Sequence, residues 1–312
     1  MNYLVTHATE FSYASDVAIS HNLVHLRPRD TPRQRCIEHV LATSVPGATM
    51  IVGVDFFGND TAYFTIEEPH GELSVSARNL VRVETEEPEI GGSLAWESIR
   101  DRLRIDLEQE WLDAAQFRFD SPMIREIEWL REYAAAEFPA GRPILEAALG
   151  LTTRIHEEFE YDPSATTNAT PIAEVFRIRR GVCQDFAHLQ IACLRAMGLA
   201  ARYVSGYLRT IPPPGRPRLV GADASHAWVS VFCPPVGWVD LDPTNDQIVG
   251  RNHITLGWGR DYDDVSPIKG VILGGGRHSL RVSVDVVPCD EQGRPLPDSI
   301  PADSFDDENP AG

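Results

Sequence analysis

Apolar and polar residues alternate in short runs through the first 84 residues. The runs are Tyr3-Val5-His7, Leu23 to Leu26, Ile37 to Leu41, Met50 to Val54, Tyr63 to Ile66 and Leu73 to Val83. A period of two belongs to strands with one buried face. Gly, Pro, Asn and Asp interrupt the runs, as at Phe57-Gly58-Asn59-Asp60. Short strands with regular turn signals predict a β-rich, sandwich-like domain over 1–84. Glu84–Ser93 (ETEEPEIGGS) is acidic, carries a proline and a glycine pair, and reads as a linker. Helical periods follow. Leu94–Gln116 is amphipathic but broken. Ser121-Pro122 offers an N-cap and a first-turn proline for a helix running to about Phe138. Pro143 opens another, with Ile144, Ala148, Leu151, Ile155 and Phe159 along one face, and Ile172–Arg180 forms a short one.

Residues 181–208, GVCQDFAHLQIACLRAMGLAARYVSGYL, are the stretch around which the second half is organised. Cys183, Ala187, Gln190, Ile191 and Leu194 recur at helical steps, and Gly198 stands where the helix needs a left-handed stop. Cys183 therefore falls in the first helical turn. Free N–H groups and the positive end of the helix dipole there favour an anionic sulfur. The alternative for Cys183 is an ordinary small core residue. Arg202–Leu208 alternates as a strand, DASHAWVSVF places His226 at the start of another, and GWVDLDPTN places Asp240 and Asp242 in and just after the next. Imidazole and carboxylate on neighbouring antiparallel strands, with a thiol at a helix start, can form a Cys-His-Asp relay.

GVCQDFAH, RYVSGYL, DASHAW and GWVDLDPTN, in this order, resemble the bacterial transglutaminase-like superfamily, whose core shares the papain-like thiol-enzyme architecture. The N-terminal region is similar to the β-rich domain often fused in front of such cores, and the resemblance extends to HITLGWGRDYDDVSP. It implies Cys183 as nucleophile, His226 as general base and Asp242 as the residue that orients it. The expected class is α+β: a β-sandwich-like domain (1–84), an acidic linker and helical segment (85–142), a transglutaminase-like core with the nucleophile helix on an antiparallel sheet (143–289), and a tail (290–312). Asp240 and Asp242 are two apart and share a strand face, so alternation cannot choose between them. Position at the strand end, the following Pro243 and the resemblance favour Asp242.

Net charge is 28 − 46 = −18, which argues against nucleic acid or an anionic membrane as partner and leaves a peptide or protein amide as the expected substrate. Asp290–Gly312 contributes seven acids against one Arg, is proline-rich, and is expected to be disordered. Five cysteines, Cys36, Cys183, Cys193, Cys233 and Cys289, form neither a disulfide framework nor a zinc spacing. The start of the chain has no signal-like segment and no apolar run reaches eighteen residues, so a cytoplasmic protein with reduced thiols is expected. No cofactor and no metal are expected. His7, His21, His25 and His39 read as strand histidines, and Asp261–Asp264 lacks the calcium-loop arrangement.

The chemistry implied is attack of Cys183 Sγ on a carboxamide, a thioester, then release to water or an amine. Gln184, Trp228 and Tyr161 are candidate second oxyanion donors. Asp185 is expected to cap the helix start facing away from Cys183, His188 to be a buried hydrogen-bonding residue, Cys193 to be inert core, and Arg260 and Tyr262 to approach the cleft. Hydrolysis is favoured over crosslinking, because it needs only water. An inactive binding module and an acidic protein acting through its tail are the competing classes.

Overall fold

The computed structural model describes residues 1–45, 48–84, 92–125, 128–210 and 224–296. Most of the expected linker, and residues 297–312 of the expected tail, lie outside them. Five strands come first: β1 (Asn2–Val24), β2 (Gln34–Thr43), β3 (Thr49–Val54), β4 (Asp60–Ile66) and β5 (His70–Val83). Helices α1 (Trp96–Ile105), α2 (Gln109–Ala115), α3 (Glu128–Ala135) and α4 (Ile144–Glu158) follow. Next come β6 (Glu160–Tyr161), α5 (Ile172–Ile178), β7 (Arg180–Gly181) and α6 (Cys183–Ala196). The chain closes with β8 (Ala201–Leu208), β9 (Ala224–Phe232), β10 (Trp238–Asp242), β11 (Gln247–Ile248), β12 (His253–Gly259), β13 (Ile268–Gly274) and β14 (His278–Cys289). Among the described residues, no helix is long and apolar enough to cross a membrane.

β1 is the axis of the first sheet. Its first half pairs with β5 on one edge and β14 on the other, and its second half pairs with β4 and β13. Residues of both halves share one apolar cluster, including Phe64 and Ile66 of β4 and Leu73 and Val75 of β5. The last two strands therefore belong to the N-terminal sheet, which corrects their expected place in a 143–289 core. Alternation at Leu280, Val282, Val284 and Val286 identifies a strand but not its sheet. Burial of Val284 and Val286 against Tyr3 and Val5 decides it.

The second sheet has the order β11-β10-β9-β8-β12 and is antiparallel throughout. Asp242, at the end of β10, touches His253 on β12, although β9 and β8 stand between them in the order. That contact requires the sheet to curl. Trp228 lies within the curl, with Val204, Val249 and Trp258 around it.

α6 packs against β8 and β9 and is buried on every side from Gln184 to Ala196. Its single-face period understates this; a helix enclosed all round is the centre of a core. The helix expected from Ser121 begins later. Residues 121–125 form a turn instead, where Met123 N–H donates to Asp261 and Ser121 Oγ accepts from Arg195. The tail's first residues are likewise ordered. Asp290 accepts from Arg294, and Leu296 N–H returns to Pro288 C=O.

The two sheets dock through Tyr3, Val5, Val81 and Val83 on one side and Tyr207, Ile254 and Leu256 on the other. Polar contacts pin the seam: His7 Nδ1 with Tyr207 Oη at 3.0 Å, and Gln34 with both backbone groups of Thr255.

Candidate active site

Cys183 is the first residue of α6. The turn before it is held by Asp185, whose Oδ2 accepts from Val182 N–H at 2.9 Å and from Thr166 Oγ1 at 2.6 Å. This is a helix N-cap bond made in reverse, from the third helical residue back to the cap position. Burial raises the Asp185 pKa, and the two hydrogen bonds oppose that rise. Its carboxylate faces the cap, as expected, and not the thiol.

His226, on β9, is 7% exposed and bridges two partners. Its Nε2–H donates to Asp242 Oδ2 at 2.7 Å, and Cys183 is close enough to favour its charged form. With Nε2 committed to the carboxylate, Nδ1 is the nitrogen left for sulfur. Burial disfavours the imidazolium, but the Asp242 hydrogen bond and the nearby Cys183 sulfur outweigh it and push the pKa up to about 10. Asp242 is fully buried and accepts five hydrogen bonds. Oδ2 takes His226, His253 Nε2 (3.1 Å) and Asn245 Nδ2 (2.7 Å), while Oδ1 takes the backbone N–H groups of Thr244 and Asn245. Burial alone would raise its pKa; the His226 and His253 bonds hold it well below the usual carboxylate range.

Asp240 has a different task. It accepts from Trp228 Nε1 at 3.2 Å and is the compensating charge for Arg202, whose guanidinium lies between the rings of Trp238 and Trp258. Thus the structure brings Cys183, His226 and Asp242 together and leaves Asp240 apart.

The oxyanion candidates separate as clearly. Trp228 is fully buried and spends its N–H on Asp240, and Gln184 donates to Asn168 C=O at 3.1 Å. Tyr161 pairs in register with Gly181, two residues before Cys183, and is 54% exposed. Burial and then the Cys183 charge raise its phenol pKa, so the hydroxyl stays protonated. His188 matches its expected buried role: its Nε2 accepts from Tyr262 N–H at 3.2 Å, and burial together with Arg195 lowers its pKa to about 3. Cys193 is fully buried, and burial pushes its thiol pKa up. Arg260 is engaged with Asp264 and not with the cleft. Asp261 is fully buried and accepts from the backbone N–H groups of Met123 and Asp263.

Three participants were missed in the sequence: His253, Asn245 and Tyr203. Asn245 carried a signal, since an Asp-Pro-Thr-Asn run favours an Asx turn. His253 carried none, because only the curl of the sheet brings it to Asp242. Tyr203, buried on β8, is near enough to Cys183 that a thiolate there raises its pKa, after burial. His226, Asp242 and His253 could in geometry surround a metal ion, but all three ligand atoms are already joined in hydrogen bonds through one carboxylate oxygen.

Two family models match: the bacterial transglutaminase-like N-terminal region over residues 3–82, and the transglutaminase-like superfamily over 133–243. An uncharacterized protein of Mycobacterium tuberculosis is 43% identical over 296 residues, covering 92% of each chain. This chain belongs to the transglutaminase-like superfamily. A protein-glutamine gamma-glutamyltransferase of Pseudomonas aeruginosa is 33% identical over 102 residues, which are 30% of this chain and 15% of that one. A solved structure from Cytophaga hutchinsonii, put forward as a cysteine protease, shares the fold with a TM-score of 0.74 at 20% identity, covering 93% of this chain and 92% of that one. The superfamily core thus ends one residue past Asp242, while β12, which carries His253, lies beyond it.

Proposed function

We propose that this protein is a cysteine-dependent acyl-transfer enzyme acting on peptide or amide bonds, with Cys183 as nucleophile, His226 as acid and base, and Asp242 as the group that orients His226. The observation that carries the proposal is His226, hydrogen-bonded to a buried Asp242 at 2.7 Å and electrostatically coupled to Cys183 at the start of α6. Cys183 Sγ forms a bond to the carboxamide carbon, and the carbonyl electrons move to oxygen. In this reading the first-turn N–H groups of α6 receive that oxyanion, with the Tyr161 hydroxyl as the second donor, a role supported by the pairing of Tyr161 with Gly181 two residues before Cys183. The imidazolium gives its proton to the departing nitrogen as the C–N bond breaks, leaving a thioester. Neutral His226 then takes a proton from water, the resulting oxygen attacks the thioester, and the thiolate departs.

Hydrolysis is favoured because Cys183 is only partly buried, so water can reach its sulfur. Transamidation, with an amine in place of that water, uses the same residues and is supported by the partial match to the Pseudomonas aeruginosa enzyme. An inactive module is less consistent with intact Cys-His-Asp geometry. A cytoplasmic setting accords with five unbridged cysteines. Incubation with a glutamine- and amide-rich peptide library, acid quench and peptide mapping tests the reaction class. An acyl adduct on Cys183 is expected; its absence, or an adduct on another cysteine, would sink the assignment. Adding a primary amine then reads the partition between acid and amide products.

A further inference from the structure

A second concave region lies at the far end of α6, about 20 Å from Cys183 by the rise of a fourteen-residue helix. It is a cavity of about 700 Å3 whose charged wall consists of Arg100, Arg104, Arg118, Arg131 and Arg195, with Asp120 as its one acid. Five positive charges against one negative stand out in a chain of net charge −18. The arginines converge from α1 (Arg100, Arg104), the turn after α2 (Arg118), α3 (Arg131) and α6 (Arg195). Arg100 is paired with Asp101 at 2.8 Å, and Arg195 is consumed by the carbonyls of Phe117, Ala201 and Arg260 and by Ser121 Oγ. Among the described residues, Arg104, Arg118 and Arg131 make no close ion pair, although the Asp101 carboxylate acts on Arg104 at longer range. Arg118 donates to Leu103 C=O, but its Nε is buried with no acceptor. Its pKa is lowered by burial and then by the charge of Arg104.

Helix-terminus electrostatics account for part of this, since Arg104 and Arg118 sit at the C-terminal end of α1 and Arg195 in the last turn of α6. They do not explain why Arg131 comes to the same wall from α3, or why an N–H of Arg118 is buried unanswered. Mutual repulsion and an unmet donor are both relieved by a multivalent oxyanion, the group that several guanidinium forks recognise best.

We propose that this cavity binds a compact, multiply charged oxyanion of metabolite size, phosphate- or carboxylate-based, held by Arg104, Arg118 and Arg131. The volume suits a molecule of that size. Calorimetric titration of the full chain at low salt with tripolyphosphate and, separately, citrate tests it. Binding of either, weakened at least tenfold in the Arg104→Ala/Arg131→Ala double variant, is the expected result, and the arm that binds more tightly identifies the anion class. Both substituted side chains are exposed, so the variant should keep its circular dichroism and melting temperature. Cys183→Ala should bind as tightly as the wild type, which separates this site from the acyl-transfer proposal. No heat from either anion at millimolar concentration, or binding unchanged in the double variant, would overturn it.

Discussion

At the scale of single residues, two carboxylates on one strand face have opposite assignments, and that difference is measurable. Asp242→Asn replaces the acceptor of His226 with a group that can present an N–H, so the imidazole loses its tautomer. A fall in kcat of about four orders of magnitude is expected. Asp240→Asn should change kcat less than about tenfold and instead lower stability by about 1–2 kcal/mol, because Arg202 loses its compensating charge. Urea melts beside steady-state rates distinguish the two, and a larger kcat loss in Asp240→Asn would refute both assignments. His226 should titrate well above its ordinary value near 6.5, towards about 10. Since the folded state holds that proton more tightly, the stabilisation is complete below about pH 6.5 and is lost as pH rises through about 10. Removing the sulfur in Cys183→Ala should lower the His226 titration, followed by imidazole NMR; an unmoved titration would mean that the two groups are not coupled. His253 is a positioning residue for Asp242. His253→Ala should lower kcat roughly tenfold or more and shift its pH profile, with His253→Gln, which keeps a donor, restoring part of the rate. Equal losses in both variants with an unshifted profile would reduce His253 to packing against Trp228.

Between elements, the site depends on strands approaching more closely than side chains normally allow. Gly206 on β8 lies in register with His226 on β9, and a Cβ there would collide with Ile254 C=O and the Trp228 ring. The backbone carbonyl cannot move aside without disturbing the β8–β12 pairing that carries His253 to Asp242. Gly206→Ala is therefore expected to cost about 1–3 kcal/mol, read as a lower urea midpoint, and to reduce activity beyond the stability effect. α6 is the complementary element. Because it is enclosed on every side, its first turn is held rigidly, and the Asp185 bond to Val182 N–H keeps Cys183 at a defined start rather than on a fraying end.

Over the whole molecule, the last described strand returns to the first. β14 runs beside the first half of β1, with Cys289 opposite Asn2, and residues to Leu296 fold back on Pro288. Truncation tests this closure. Stopping after Leu296 should leave the melting temperature and Cys183 alkylation rate unchanged. Stopping after Val287 removes the Tyr3–Pro288 and Asn2–Cys289 pairs and should lower the melting temperature by several degrees. An equal melting temperature for both proteins would show that the last two residues of β14 do not contribute to the closure.

The local patterns were sufficient for much of this. Period-two alternation located the N-terminal strands, a period of 3.6 located α4 and α6, and a glycine with φ of 81° stands at the expected stop, Gly198. Cys183 at a helix start and His226 and Asp242 on adjacent strands were legible because each depends on neighbours within a few residues and on a resemblance spread over four motifs. Sheet membership was not legible, since alternation is the same whichever partner a strand finds, and so β13 and β14 were placed in the wrong unit. The share of each carboxylate was also invisible, because residues two apart face the same way until a sheet curls. Only that curl, with Trp228 filling it and Gly206 permitting it, sets His253 against Asp242 and leaves Asp240 for Trp228 and Arg202. The arginine cavity is the same kind of fact: its charges come from four separate elements, and only their packing decides that they share one wall.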